Sequence, residues 1–306
     1  MQMKVPMVSV FSGGANMELR VLKYFLMTAR EENITKAAKN LHITQPTLSR
    51  QLMQLEEELG TKLFERSNHN IYLTEDGMLL RKRAQDIVEL SDRAKNELLN
   101  KNKELTGRII FGCGETRCVR QLSRTMAEFQ KRNPEIKYEI YTAIADEIKE
   151  RLDKGLIDIG LLTEPVDIAK YNFIRLKQKE QWGVLVREDS PLAAKESVTA
   201  QDLADMPLIM AKRNLVKSEL ENWFGDTFER LNIAGTYNLL NNAATMVAEN
   251  IGVALCFELG VHYDGLKFVP LSPKLETGSV IVWQKNQMLS EATKQFIEML
   301  KEDIEI

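Results

Sequence analysis

The chain has 306 residues, of which 44% are hydrophobic and 28% are charged, an ordinary balance for a folded globular protein. This length predicts two or more domains, and the lack of an apolar run near the ~20 residues of a membrane span excludes a membrane protein. Three cysteines argue against a disulfide framework, so we expect a cytoplasmic protein without a secretory signal.

The net charge of −3 conceals an uneven distribution along the chain. Residues 20–55 hold six Lys/Arg against two Asp/Glu, and residues 33–55 hold no acid. From residue 105 onward, 25 basic residues face 30 acidic ones. A small basic segment on an acidic body predicts one anionic partner and a second, unrelated task. Residues 1–16 precede this pattern, and we interpret them as a leader or tag-like extension rather than a functional arm.

The first predicted elements are three helices in close succession. Apolar residues recur at helical spacing first from Leu19 to Ala29 and then from Ile34 to Leu41, and a tight turn at His42 leads into the third helix. Two short helices joined by such a turn form a helix-turn-helix pattern. A purely structural helical hairpin is the alternative, but it would not need an acid-free stretch.

The third helix, TQPTLSRQLMQLEEELG (44–60), has two faces. Leu48, Leu52, Leu55 and Leu59 share a narrow arc and are predicted core. We expect the hydroxyl of Thr44 to cap the helix, while Pro46 in the first turn costs no helical hydrogen bond. Gln45, Ser49 and Arg50 match the hydrogen-bonding groups of bases and phosphates. The three glutamates 56–58 are expected to form a solvated end of the helix.

A hairpin and a long helix are predicted next. The runs around Phe64 and Ile71 flank the turn-like SNHN, which predicts a small wing. Thr74 then caps a helix that runs to about Asn100. An apolar seam steps along it by four and three residues. The seam comprises Leu80, Ala84, Ile87, Ser91, Ala94 and Leu98. Packing on its own domain is one interpretation, but a partner chain is favoured because the other faces are charged.

The remaining sequence alternates predicted strands and helices, which indicates parallel sheets with crossover helices. The segments TEPVD (163–167) and DGLKFVPLSP (264–273) interrupt this alternation and predict two crossings between two lobes. The predicted domains are a winged helix-turn-helix domain at 17–76, a linker helix at 77–104 and a two-lobed α/β body with a cleft at 105–306. Lobe I is placed at about 105–164 and 268–306, and lobe II at about 165–267.

The segment AAKNLHITQPTLSRQLMQLEEELGTKLFER (37–66) resembles the signature of the LysR-type transcriptional regulators, and similarity continues through LDKGLIDIGLL (152–162). The resemblance implies an α+β multidomain protein with a winged helix-turn-helix, a dimerising linker helix and a two-lobed body like a periplasmic binding protein. It implies a regulator of transcription that binds double-stranded DNA and a small-molecule effector of unknown identity, assembled from homodimers into a tetramer. The implied DNA contacts are Thr44, Gln45, Pro46, Thr47, Ser49, Arg50 and Arg66. Many members carry a basic wing tip, whereas this chain has Asn68, His69 and Asn70.

Effector contacts are expected where strands end at the cleft. After the strand at 108–111, GCGETR opens a helix whose N–H groups favour an anion. The candidates are Gly114, Glu115, Thr116, Arg117, Thr163, Lys212 and Arg213. The bases hint at an acidic effector and the glutamate opposes one, so the sequence leaves the effector's charge open.

Other chemistries receive little support from the sequence. Cys113 and Cys118 have a spacing that permits a redox switch, but buried core cysteines are the favoured interpretation. The three histidines have no ligand spacing, so we expect no metal site, no cofactor and no enzyme. A solute-binding protein and a cytosolic α/β enzyme with a helical appendage remain as alternatives. The basic N-terminal helices argue against the first, and the lack of a catalytic cluster argues against the second.

Overall fold

A computed structural model describes residues 17–67, 70–99, 105–211, 214–285 and 289–305. The chain divides into two compact units, Met1–Leu98 and Leu99–Ile306. None of the described helices is long and apolar enough to cross a membrane.

The N-terminal unit is a winged helix-turn-helix followed by a long helix, as the sequence predicts. Its elements are α1 (Leu19–Glu31), α2 (Ile34–Asn40), α3 (Gln45–Leu59), β1 (Phe64–Ser67), β2 (Asn70–Leu73) and α4 (Glu75–Leu99). β1 and β2 pair antiparallel, with Arg66 opposite Ile71. The core lies where the helices meet, and Ala37 is fully buried there because its small side chain lets the helices approach closely. The rings of Phe25 and Phe64, 5.2 Å apart, join α1 to the wing.

The end of α3 differs from the solvated acidic tail that its sequence predicts. Glu56 is only 9% exposed, and its carboxylate accepts the backbone N–H groups of Leu63 at 2.9 Å and Phe64 at 3.2 Å. Lys62 adds an ion pair at 2.9 Å. The carboxylate thus holds the start of the wing against α3. Leu59, which is predicted core, is 37% exposed because it lies in the last turn of the helix.

We expect Glu56→Gln to destabilise the N-terminal unit by about 1–2 kcal/mol, since hydrogen bonds to a charged group exceed neutral ones by about that amount. Burial opposes ionisation, but the bonds from Lys62, Leu63 and Phe64 outweigh it and hold the pKa of Glu56 below its ordinary value. A lowered folded-state pKa means that this stability is fully present above the unfolded pKa and is lost as the pH falls through the folded one.

Urea unfolding of the full chain measures this effect. The three tryptophans all lie in the C-terminal unit, so their fluorescence serves as an internal control while far-UV circular dichroism also follows the helical N-terminal unit. Glu57→Gln removes the same charge from an exposed neighbour and should leave the transition unchanged. Equal effects of the two variants, or a Glu56 effect that persists at acidic pH, would refute the assigned role.

The long helix α4 divides its apolar residues between two environments. Ala84 is fully buried in the core of the N-terminal unit, and Leu80 packs against the same core. These two members of the predicted dimer seam therefore hold α4 to its own domain, which corrects their assignment. Ile87 at 41% and Leu90 at 45% remain exposed. Ala94 is also exposed, and the side chain of Leu98 lies outside the described residues.

The C-terminal unit contains two sheets, each covered by helices on both faces. Its elements in order are β3 (Gly107–Cys113), α5 (Val119–Arg132), β4 (Ile136–Thr142), α6 (Ala145–Asp153), β5 (Ile159–Thr163), β6 (Tyr171–Arg175), β7 (Glu180–Arg187), α7 (Ala200–Leu203), β8 (Pro207–Ala211), α8 (Asn214–Phe224), β9 (Asn232–Tyr237), α9 (Leu240–Ala248), β10 (Val253–Phe257), β11 (Leu266–Pro270), β12 (Glu276–Thr277), β13 (Ser279–Gln284) and α10 (Glu291–Glu305). Short 3-10 helices lie at Pro191–Ala194 and Gly225–Arg230.

Lobe I is built on the strand order β4-β3-β5-β13-β6. The first three strands are parallel, and β13 runs antiparallel to both of its neighbours. α5 and α10 cover one face of the sheet, where the ring of Phe296 contacts those of Phe111 and Phe129 at 5.2 and 5.3 Å. α6 covers the other face through Ile148 and Leu152.

Lobe II has the strand order β11-β7-β10-β8-β9, with the short β12 also paired to β7. α8 packs on one face through Leu220, and α9 packs on the other through Ala243 and Val247. As in lobe I, parallel strands joined by helices continue into antiparallel strands at one side. The predicted βαβ alternation is confirmed for the parallel part of each sheet.

The two crossings between the lobes occur later than the sequence predicts. The segment TEPVD (163–167) is a turn inside lobe I, because β6 returns antiparallel beside β13 at the edge of that sheet. Likewise β11 pairs with β7 and belongs to lobe II. The crossings therefore lie between β6 and β7 and around β12. The predicted boundaries at 164/165 and 267/268 are corrected accordingly.

Candidate functional site

The front end of α3 is slim, exposed and polar. Gln45, Pro46, Thr47 and Arg50 are exposed and Ser49 is half-buried, while Leu48 beneath them is fully buried. The core thereby fixes the helix and leaves its first turn free on the outer side.

The cap of α3 differs from the expected one. The hydroxyl of Thr44 makes no hydrogen bond to the backbone of the helix and instead lies 2.8 Å from the hydroxyl of Thr47. The first-turn N–H groups therefore have no side-chain acceptor from Thr44. Groups of this kind are suited to bind a phosphate, since they point outward at the positive end of the helix dipole.

Arg50 is placed to reach beyond the protein surface. It is exposed and has no hydrogen bond or ion pair with any residue in the part of the chain that the structure describes. Its planar guanidinium group can therefore donate two parallel hydrogen bonds to a single partner. The backbone of Arg66 lies in the β1–β2 ladder, whereas its side chain and the wing tip at Asn68 and His69 fall outside the described residues.

In the C-terminal unit, a cavity of about 100 Å³ lies between the lobes. Four of the predicted effector contacts line it: Gly114, Glu115, Thr116 and Thr163. Its walls are otherwise largely apolar and include side chains that the sequence analysis did not single out. These are Ala143, Ile144, Ala145, Ile148, Leu161, Leu162, Trp182, Ala211, Tyr237, Asn238, Leu240, Phe257 and Leu259. Most of them lie at or just after the carboxyl end of a strand, which was the available signal for finding them.

The predicted anion site at the start of α5 is filled by the protein itself. Glu180 is fully buried, and its carboxylate accepts the backbone N–H groups of Arg117 at 3.0 Å and Cys118 at 3.1 Å. The side chain of Arg117 forms an ion pair with Glu258 at 2.7 Å. Arg117 therefore joins lobe I to lobe II and does not line the cavity, which corrects its prediction. Lys212 and Arg213 lie outside the described residues.

A second carboxylate connects the lobes at the cavity. Glu115 of lobe I accepts the backbone N–H of Leu240, the first residue of α9 in lobe II. Tyr237 lies close by and donates its hydroxyl to the carbonyl of Leu255 at 2.9 Å. Burial first, then nearby Cys256 and Glu115, raises the pKa of Tyr237 well above its ordinary value. This phenol stays protonated near neutral pH and remains a donor.

All three cysteines are buried free thiols. Burial raises the pKa of Cys113 to about 11, and burial with the neighbouring carboxylate of Glu180 raises that of Cys118 to about 12. Burial also raises the pKa of Cys256 to about 12. Thiolate, the reactive form, is scarce at such values, which supports the core interpretation over a redox switch. Among the described residues, no group of three or more His, Cys, Asp or Glu is placed to hold a metal ion.

Two family models match the chain. Residues 19–78 match the model described as "Bacterial regulatory helix-turn-helix protein, lysR family", and residues 102–305 match "LysR substrate binding domain". The first covers the three helices, the wing and the start of α4. The second covers both lobes with the cavity between them.

Individual proteins show the same similarity. The HTH-type transcriptional regulator AlsR of Bacillus subtilis (strain 168) is 32% identical, over 84% of this chain and 82% of its own length. The uncharacterised regulator YybE of the same strain is 29% identical over 92% of this chain and 97% of its own. The crystal structure of full-length CbnR complexed with its target DNA aligns with a TM-score of 0.74 at 21% identity, covering 94% of this chain and all of CbnR.

Proposed function

Because the chain belongs to the LysR family of bacterial helix-turn-helix regulators, we propose that it reads its DNA site mainly with the first turns of α3 and responds to a small molecule bound between its two lobes. The protein is a DNA-binding transcriptional regulator with a substrate-binding domain for its effector. The observation that carries the reading role is an exposed Arg50, unpaired among the described residues, beside a helix N-terminus that Thr44 does not cap. We place the protein in the cytoplasm, where bacterial promoter DNA lies, and assign it no resident cofactor.

The contacts with DNA divide by chemistry. Arg50 and Gln45 have the bidentate groups that distinguish guanine and adenine in the major groove. The first-turn N–H groups, with Thr47 and Ser49, suit phosphate oxygens that set the position of the helix. Pro46 and these short side chains keep the front of α3 slim. A groove wall therefore approaches the helix backbone closely.

The structure also supports a dimer through α4. Ile87, Leu90 and Ala94 lie on one exposed stripe, next to the face that packs on the core of the N-terminal unit. An exposed apolar stripe on a helix suits pairing with a second copy of the same chain. Double-stranded DNA with two half-sites would then meet two α3 helices. We propose that such dimers assemble further into a tetramer.

Leu90→Asp should weaken the dimer by roughly 100-fold or more, since burying each leucine contributes about 1.5–3 kcal/mol and a two-fold interface uses it twice. Sedimentation equilibrium of the full chain gives the dissociation constant. Gln85→Asp adds the same charge on the opposite side of α4 and should leave it unchanged. A dimer unaffected by Leu90→Asp would exclude this stripe as the interface.

Selection from a random double-stranded DNA pool tests the proposed function. The full chain should enrich a sequence with dyad symmetry, whose half-sites lie about one or more helical turns apart. Recovery of sequences without a shared motif would reject sequence-specific reading.

A further inference from the structure

We infer that the effector of this chain is a small, non-anionic molecule whose cationic group pairs with the carboxylate of Glu115. The inference rests on the proposed function, because it names the ligand class of the cavity between the lobes. It follows from three observations on that cavity: the occupation of its helix N-termini, the charge of its lining and its size.

The N-termini of α5 and α9, which face the cleft, already have a carboxylate from the chain. Glu180 accepts two backbone N–H groups at the start of α5, and Glu115 accepts one at the start of α9. Helix N-termini are the groups that would otherwise bind the carboxylate or phosphate of an anionic ligand. An incoming anion would have to displace Glu180 from a fully buried position or lie against Glu115. The start of α6 also lines the cavity and has no side-chain cap, but Asp146 and Glu147 in its first turn offset the positive end of its dipole. The cleft therefore disfavours an anion.

The charge of the lining agrees with this conclusion. Of the described residues that line the cavity, Glu115 alone carries a formal charge, since Arg117 turns away to Glu258. A carboxylate offers about four acceptor positions, so one bond to Leu240 leaves capacity for an ammonium group. The buried hydroxyl of Thr116, which lines the same cavity, has no hydrogen-bond partner among the described residues. It provides a second polar contact for the ligand.

The size and polarity of the cavity fix the rest of the ligand. Trp182, Phe257 and Leu161 are among the apolar side chains that line it, so the body of the ligand is hydrocarbon. A cavity of about 100 Å³ has two-thirds of the ~150 Å³ that accepts benzene and its six carbon atoms, so roughly four to five non-hydrogen atoms fit inside it. A short alkylammonium ion meets all of these requirements.

Three probes of equal size distinguish a cationic, a neutral and an anionic ligand. They are n-butylammonium, 1-butanol and propionate, compared at constant ionic strength. Binding to the full chain is followed by the indole N–H resonance of Trp182, whose residue lines the cavity and which a Trp182→Phe variant identifies. We expect n-butylammonium to bind at least about tenfold more tightly than propionate, because one charge-assisted hydrogen bond contributes about that factor.

Glu115→Gln keeps the shape and the acceptor for the N–H of Leu240 but removes the charge. It should weaken n-butylammonium about tenfold and leave 1-butanol unchanged. Glu135→Gln removes an exposed charge elsewhere in lobe I and should change neither. The inference would be overturned if propionate bound more tightly than n-butylammonium, or if no probe shifted the resonance. It would also be overturned if Glu115→Gln bound n-butylammonium as tightly as the unmodified chain does. Specific DNA binding is measured on the same preparations, so failure of the regulator function is seen separately from failure of the ligand class.

Discussion

Arg50→Ala is expected to weaken binding to the specific DNA site by roughly 5- to 150-fold while changing binding to random duplex much less. A bidentate arginine contact to a base contributes about 1–3 kcal/mol of discrimination, which corresponds to that range. The structure leaves Arg50 exposed and unpaired among the described residues, on the side of α3 opposite its buried leucines. Loss of its side chain removes recognition and leaves the fold intact.

Arg50→Lys is the matched control, because it keeps the positive charge and loses the planar fork. Compared with Arg50→Ala, the lysine variant should regain the affinity for random duplex. It should still show most of the loss of affinity for the specific site. Titrations of both variants on both duplexes at one fixed salt concentration make the comparison, since phosphate contacts depend strongly on salt. Equal losses on the two duplexes for Arg50→Ala, together with full rescue by lysine, would mean that Arg50 contacts only phosphate.

Gly77→Ala is expected to destabilise the N-terminal unit by roughly 3 kcal/mol or more. A methyl group at Gly77 would lie 2.1 Å from the carbonyl oxygen of Leu63 and 2.9 Å from the side chain of Leu73. The backbone oxygen has no room to move, because it also accepts the N–H of Thr74 at 3.0 Å. Overpacking of this kind costs about 1–3 kcal/mol or more, which exceeds the ~1 kcal/mol that alanine contributes inside a helix.

The same clash would separate the wing from α4. Thr74 caps α4 by accepting the N–H of Gly77 at 2.9 Å, and its hydroxyl donates to the carbonyl of Lys62 at 2.7 Å. Displacing Gly77 breaks this joint, so DNA binding should fall as well.

Gly60→Ala gives a comparison, because its φ of +67° is strained for alanine but no atom lies within 4 Å. That variant should lose only about 1–2 kcal/mol. Far-UV circular dichroism during urea unfolding measures both, and an unchanged midpoint for Gly77→Ala would refute the packing argument.

Local patterns predicted most of the fold. Helical spacing predicted α1, α2, α3 and α4, and the basic, acid-free segment predicted a DNA-reading face on α3. The crossings between the lobes were misplaced, because β6 returns antiparallel at a sheet edge and nothing local in its five residues distinguishes that from a new lobe. The spacing of Leu80 and Ala84 matches a dimer seam. Only the folded N-terminal unit shows that this side of α4 packs against the core of its own domain.

Buried carboxylates explain two further errors, the solvated end of α3 and the anion site at the start of α5. Glu56 and Glu180 resemble any surface glutamate in sequence, yet each accepts two backbone N–H groups. For Glu180 those groups lie 62 and 63 residues away, so the pairing depends on the tertiary fold. The sequence therefore predicted residues that line the cavity between the lobes, such as Gly114 and Thr163, but left the charge of the ligand undecided.

We propose that α3 gives this chain a sequence-specific DNA-reading function. The most direct test titrates the full chain against the DNA upstream of its own gene and against a scrambled duplex of the same composition, at one physiological salt concentration. Specific regulators prefer their sites by roughly 10³-fold or more, and we expect a preference of that order. Equal affinity for the two duplexes would contradict the claim.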